Sequence, residues 1–201
     1  MGNVLDGAIG NVYIRIKNGS DFKVSPLINK KAQLTQSTAD NAWSYRGSFE
    51  SVDYTLDFRL AQKSSNWFWT AKAVNNSGSD AEIDFIYVQD AGVAAKGASL
   101  NNEAYVSHYI DQTILGDATS GYAICARQNL KQHTGFPFLM SGALDGAVGF
   151  LTDGMQFFGL DYKESSAPKA LQDDTLASIR KQGEFSCHVL QSKRETVSVG
   201  S

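Results

Sequence analysis

The stretch from Asn101 to Gln112, NNEAYVSHYIDQ, gathers asparagines, two carboxylates, a histidine and two tyrosines, the side chains from which acid/base centres and sugar sites are built. Read as a strand, it puts Tyr105, Ser107, Tyr109 and Asp111 on one face and Val106, His108 and Ile110 on the other. The apolar flanks of His108 assign it to the core-facing set, where a backbone carbonyl satisfies an imidazole, and that weakens it as a catalytic base. The opposite face suits a sugar: flat aromatic surfaces take the C–H faces, while carboxylates and amides take the hydroxyls. Tyr105, Tyr109 and Asp111 offer this, with Asn102 and Glu103 supplied by the preceding loop. The other reading of the same face is a polar surface packed against a second sheet or domain, its side chains satisfying backbone groups.

A second group, Arg127, Gln128 and Asn129, closes a strand-like run with three strong hydrogen-bonding side chains. Arg127 can clamp a carboxylate or phosphate, or it can be spent on an internal ion pair. No catalytic residue is assigned. Glycoside chemistry needs two carboxylates at a defined separation, which sequence does not fix, so Glu103 and Asp111 stay weak candidates for it. A Ser107–His108–Asp111 triad fails because strand neighbours point to opposite faces, and no GxSxG elbow is present. Three scattered histidines, His108, His133 and His188, with no CxxC or HExxH, offer no metal-ligand set, and no glycine-rich phosphate loop occurs.

The elements that must position these residues alternate with period two. Val52, Tyr54, Leu56, Phe58 and Leu60 share one face of a strand, with Asp53, Thr55, Asp57 and Arg59 on the other. In NVYIRIK, Val12, Ile14 and Ile16 oppose Tyr13, Arg15 and Lys17. The segment NWFWTAKAVNNSGSDAEIDFIYVQD reads as an antiparallel hairpin about Ser77-Gly78-Ser79, its core face built from Trp67, Trp69, Phe85 and Tyr87. DAGVAAKGASLNN reads as a loop, GYAICARQN as a strand, and Asp153-Gly154 as a two-residue turn between apolar runs. SAPKALQDDTLASIRKQ is the best helix candidate, and EFSCHVLQ alternates again, with Phe185, Cys187 and Val189 opposite His188 and Leu190. The expected fold is all-β: one antiparallel domain over residues 1–201, large enough for two stacked sheets.

Composition bounds the function classes. A chain of 201 residues fits one domain, and a net charge of -3 leaves no electrostatic footprint for nucleic acid or an anionic membrane. Cys125 and Cys187 read as buried thiols rather than as a disulfide framework. No secretory leader and no apolar run near the roughly 20 residues of a spanning helix is seen, so a cytoplasmic setting is expected, and the glycosylation patterns at Asn18 and Asn75 then have no meaning.

Taken in order, NWFWTAKAVN, QDAG, NNEAYVSHYID, ARQN and SGALDGAVGFLTDGMQFFG resemble the N-terminal β-domain of 1,2-β-oligoglucan phosphorylases, of glycoside hydrolase family 94, related to the phosphorylase region of cyclic β-1,2-glucan synthases. The resemblance runs from about Val12 into the final strand. It implies a galactose-mutarotase-like β-supersandwich preceding a helical linker and an (α/α)6 barrel. That barrel supplies the acid for inverting phosphorolysis, inorganic phosphate being the co-substrate and no cofactor being needed. The sequence ends at LQSKRETVSVGS, before any helical-barrel pattern, so a piece of a larger enzyme, inert alone, is expected. The implied partners are the barrel of the same parent chain and a β-glucooligosaccharide, and a homodimer is compatible with the reading.

The bets for glycan or interdomain contacts are therefore Asn102, Glu103, Tyr105, Tyr109, Asp111, Arg127, Gln128 and Asn129. Two other functions compete with an accessory domain. An autonomous carbohydrate-binding module needs an exposed aromatic row, for which Trp43, Trp67 and Trp69 are available, although Trp67 and Trp69 read as core. A mutarotase-like epimerase needs His and Glu or Asp converging in one cleft.

Overall fold

The structure, a computed structural model, describes residues 10–37, 40–133, 135–183 and 185–201, apart from the side chains of residues 96, 99, 100 and 103. Strands take 55% and helices 11%, and the sheet ladders are antiparallel, so the all-β expectation holds. Two compact units are distinguished: one takes Ile86–Lys193 with the first residues of β1, the other Val12–Phe85 and Arg194–Ser201. No helix among the described residues is long and apolar enough to cross a membrane.

In the second unit, β1 (Gly10–Asn18) lies between β2 (Asp21–Pro26) and β7 (Ala81–Asp90), and β7 also pairs with the short β12 (Glu195–Val197). A separate meander runs β3 (Gln33–Ser37), β4 (Ala42–Phe49), β5 (Val52–Leu60), β6 (Trp67–Asn75). The alternation read in β5 holds: Val52, Tyr54 and Leu56 are buried while Asp53 is exposed. The Asn29 amide reaches the Tyr54 hydroxyl at 3.0 Å, and Lys23 of β2 pairs with Glu50 of the β4–β5 turn at 2.6 Å.

The expected hairpin of β6 and β7 does not form, because the two strands belong to different sheets. Asn75 explains the departure. Fully buried, its side chain donates to the Ser79 and Val197 carbonyls at 2.9 Å and accepts from the Ser77 N–H and hydroxyl. Its backbone bonds Gly200 and Ser201, so the C-terminal segment takes the place that a hairpin partner would occupy.

β1 also departs from simple alternation, since Tyr13 and Arg15 are as buried as Val12, Ile14 and Ile16. A buried guanidinium needs a counter-charge, and Asp84 of β7 supplies it. Asp84 accepts from Arg15 Nε and Nη2 at 2.7 Å each and from Arg194 Nε and Nη2 at 3.2 and 3.1 Å. The Phe22 ring lies under both guanidiniums, 4.2 Å from Arg15 and 4.8 Å from Arg194.

In the first unit the sheet order is β7, β11 (Ser186–Ser192), β10 (Phe138–Asp153), β9 (Gly121–Gln128), β8 (Ile110–Asp117). Ile124, Ala147, Phe150 and Leu190 form one cluster of its core, and Ala91, Val93, Ile110 and Ala126 another. The register of β10 against β9 jumps between Gly142 and Ala147. Gly121 allows this close passage, since at φ 84° a Cβ there would sit 2.6 Å from the Gly146 Cα.

Two further expectations are corrected. Asp153-Gly154 is no hairpin turn: Asp153 caps a short helix, α2 (Gly154–Phe158), accepting from the Met155 N–H at 2.8 Å, and a Cβ on Gly154 would run into the Phe185 ring. The segment read as a helix after Ser166 forms just a 3-10 turn at Lys169–Gln172. Beyond it, buried side chains claim the backbone groups a helix would use, Gln191 accepting from the Leu176 N–H and the Thr152 hydroxyl accepting from the Lys181 N–H.

Replacing Asp84 by asparagine strands a buried guanidinium, and the expected loss of unfolding free energy in urea is about 3–5 kcal/mol. A loss below about 1 kcal/mol contradicts the assignment of this cluster as the anchor of its unit.

Candidate functional site

The strand reading of Asn101–Gln112 is overturned: residues Lys96–Ser107 form helix α1, broken at Asn102 (φ −159°, ψ 80°), and β8 begins at Ile110. The break restarts the helix. The Asn102 Oδ1 accepts the Tyr105 N–H at 3.0 Å, as an N-cap side chain does. The loop expected through residues 96–100 is therefore helical as well.

Helical spacing changes which side chains travel together. Ser107 is buried and His108 exposed, the reverse of the strand assignment, and Tyr105 and Tyr109, four apart, meet at the helix end. Their hydroxyls are 3.1 Å apart and their rings stand edge to face at 5.2 Å, with exposures of 49% and 37%. The Tyr109 phenol is raised above its ordinary value, first by the hydrogen bond with Tyr105, then by the charge of the neighbouring phenol, then by desolvation, so it stays a neutral donor and acceptor.

Gln128 and Asn129 hold this pair in place. Gln128 is 0% exposed: its amide donates to the Val106 carbonyl at 3.3 Å and accepts from the Leu130 N–H at 2.8 Å, tying the end of α1 to the end of β9. The Asn129 N–H donates to the Tyr109 carbonyl at 2.8 Å, and the Asn129 side chain is exposed. Gln128 is thus a positioning residue, turned away from solvent. The side chain of Glu103 lies outside the described residues.

Asp111 and Arg127 face each other across β8 and β9, and Phe138 of β10 completes the row on the same exposed face. Arg127 lies 5.6 Å from the Phe136 ring centroid. The sequence reading missed Phe136 and Phe138, the latter 76% exposed. Their signal was available: in FPFLM a proline separates two aromatics whose strand spacing places Phe138 and Met140 opposite the buried-side Leu139. The assembled surface carries exposed tyrosines and phenylalanines, an acid, a guanidinium and amides, which can stack on and hydrogen-bond a polyol.

The sequence pattern of the SOGP N-terminal domain family matches residues 1–201. A 1,2-beta-oligoglucan phosphorylase of Listeria innocua is 32% identical over 191 residues, which is 95% of this chain and 17% of that protein. The chain spans about a sixth of the length of the curated relative it matches.

His108 and His188 stand in different surroundings. His108, exposed, caps the C-terminal end of α1 with its N–H on the Ala104 carbonyl at 3.2 Å, and His188 is fully buried on β11, its Nδ1 2.8 Å from the Ser141 hydroxyl. Burial pulls the His188 imidazole down from 6.5 to about 4. Below 6.5 the unfolded chain therefore takes up a proton that the folded chain refuses, and stability falls as pH drops from 6.5 towards 4. At about pH 5 this group alone removes about 2 kcal/mol relative to neutral pH. Urea unfolding across this window should show that slope, flattened in His188→Gln; an equal slope in both proteins contradicts the buried neutral assignment.

Proposed function

Because the chain belongs to the SOGP N-terminal domain family, we propose that it is the accessory β-domain of a glycoside phosphorylase of glycoside hydrolase family 94 that acts on β-1,2-linked glucooligosaccharides. The observation that carries the reading is the 32% identity over 95% of the chain to the Listeria innocua phosphorylase. The chemistry itself belongs to a barrel domain of the parent polypeptide, which uses inorganic phosphate as co-substrate and no cofactor, in the cytoplasm. This domain contributes recognition. Tyr105 and Tyr109 present ring faces and hydroxyls to a pyranose, Asp111, Arg127 and the Asn129 amide take its hydroxyls, and the Asn102 cap and Gln128 fix the geometry of the pair. The same face borders the barrel, so that one surface serves substrate and interdomain packing.

A mutarotase-like role lacks support in the placement of the histidines, since His188 is buried and its polar neighbour is a serine. The exposed tyrosine pair favours binding without catalysis.

In calorimetric titration with short β-1,2-linked glucooligosaccharides, the double variant Tyr105→Ala/Tyr109→Ala should lose affinity by about tenfold or more, with an unchanged circular dichroism spectrum. Unchanged affinity refutes the site, and release of sugar 1-phosphate by this chain alone refutes the accessory role.

A further inference from the structure

The sheet of the first unit ends at β8, and a distant segment reaches the free edge of that strand. The Asn129 N–H bonds the Tyr109 carbonyl, so Tyr109 and, by alternation, Asp111 turn their backbone groups to β9, while Gln112 turns its own to the free edge. There the Arg180 Nη1 donates to the Gln112 carbonyl at 3.0 Å, and the Gln182 amide donates to the His108 carbonyl at 3.3 Å. These two carbonyls bracket the stretch that carries Tyr109 and Asp111. Arg180 and Gln182 are both exposed. Holding an exposed arginine and glutamine to main-chain carbonyls costs them rotamer freedom, and the effect is an edge strand whose outward carbonyls are occupied.

The backbone of this segment is anchored on β10. The hydroxyl of Thr152, a buried residue, donates to the Lys181 carbonyl at 2.6 Å and accepts the Lys181 N–H at 2.8 Å. Ile179 bridges Leu151, its carbonyl accepts from the Gln156 amide at 3.3 Å, and a Cβ on Gly183 would run into the Asp153 carboxylate. With Lys181 fixed on β10, the side chains of its two neighbours reach β8.

We propose that residues 179–183 form a clamp on the tyrosine site, with Arg180 and Gln182 as positioning residues that fix Tyr109 and Asp111 through the Gln112 and His108 carbonyls. The ligand rests on the function proposed above; the clamp rests on the hydrogen bonds. The tyrosine pair meets across the α1–β8 junction, and its 3.1 Å hydroxyl contact depends on where α1 stops and β8 starts. Gln128 and Asn129 hold that junction from the β9 side, and the clamp holds it from the other. A site held from one side alone keeps freedom that a ligand must remove on binding, which weakens affinity without the loss of any contact to the ligand. The bonds also dictate which substitutions preserve them. Lysine at position 180 keeps a cationic donor, whereas glutamate at position 182 keeps the shape of glutamine and loses its N–H donors.

In Arg180→Ala/Gln182→Ala, calorimetric affinity for β-1,2-linked glucooligosaccharides should fall about fivefold, and hydrogen exchange of the Asn129 amide, which bonds the Tyr109 carbonyl, should quicken while the urea midpoint stays unchanged. Arg180→Lys should keep most of the affinity, and Gln182→Glu should lose as much as Gln182→Ala. An unchanged Asn129 exchange rate in the double variant overturns the clamp. So does local quickening with unchanged affinity, or a lowered urea midpoint with exchange accelerated throughout the unit, which is what general stabilisation predicts. Full affinity in Gln182→Glu overturns the role of the Gln182 donor. Absence of glucan binding by the unaltered chain refutes the proposed function instead, and the exchange measurement, which needs no ligand, then decides the clamp: local quickening supports it and an unchanged rate overturns it.

Discussion

Asp84 has no access to water, yet it carries the ionic contacts that define its unit: two guanidiniums, from Arg15 on β1 and Arg194 at the start of the C-terminal segment, converge on its carboxylate. Burying charges is costly unless every one is paired and hydrogen-bonded, and here Arg15 grips both carboxylate oxygens of Asp84 in a bidentate fork, while the partly exposed Arg194 directs two N–H groups at Oδ2. The consequence is topological. β1, β7 and the C-terminal segment are held at one place, β12 can pair with β7, and Val197 and Ser201 come within reach of Asn75. Asn75 in turn diverts the chain out of the meander before a β6–β7 hairpin can form. In the meander Val52, Tyr54 and Leu56 are buried, and Trp43, Phe58 and Trp69 on the same face are half-buried.

The first unit solves a different problem, that of presenting large aromatic rings at the surface without letting them collapse. Asn102 restarts α1 so that Tyr105 and Tyr109 fall on one side, and Gln128, buried and bonded at both ends of its amide, fixes the helix end against β9. Rings held through the buried Gln128 amide have less freedom left to lose when they bind a ligand.

The strands were legible in the sequence where one face is wet. In β5, Asp53 and Thr55 mark the solvent side and the alternation names Tyr54 and Leu56 as core. Where both faces are buried, as in β11, alternation carries no information, and His188 reads no differently from its neighbours. The all-β class survived because it depends on many strands at once. The local structure at the site was not legible, because Tyr105 and Tyr109 share a face in a strand by even spacing and in a helix by four-residue spacing, so the pair does not distinguish the two. Alternation in β9 puts Gln128 on the face that Ile124 and Ala126 bury, but its two amide bonds, to the Val106 carbonyl and from the Leu130 N–H, depend on where α1 ends, which the strand reading of Asn101–Gln112 does not give. The β6–β7 connection misled for a similar reason: a polar Gly-containing loop between apolar runs fits a hairpin and a crossing between sheets equally well, and a distant segment, the C-terminus, decides.

The proposed function requires that this domain recognise β-1,2-linked glucan by itself. Ligand-observed NMR of the chain with short β-1,2- and β-1,4-linked glucooligosaccharides measures it most directly, because weak binding is visible and no catalysis is required. Saturable binding selective for the β-1,2 series is the predicted result. The absence of binding to either series would contradict the account and leave the tyrosine face as packing surface for another domain.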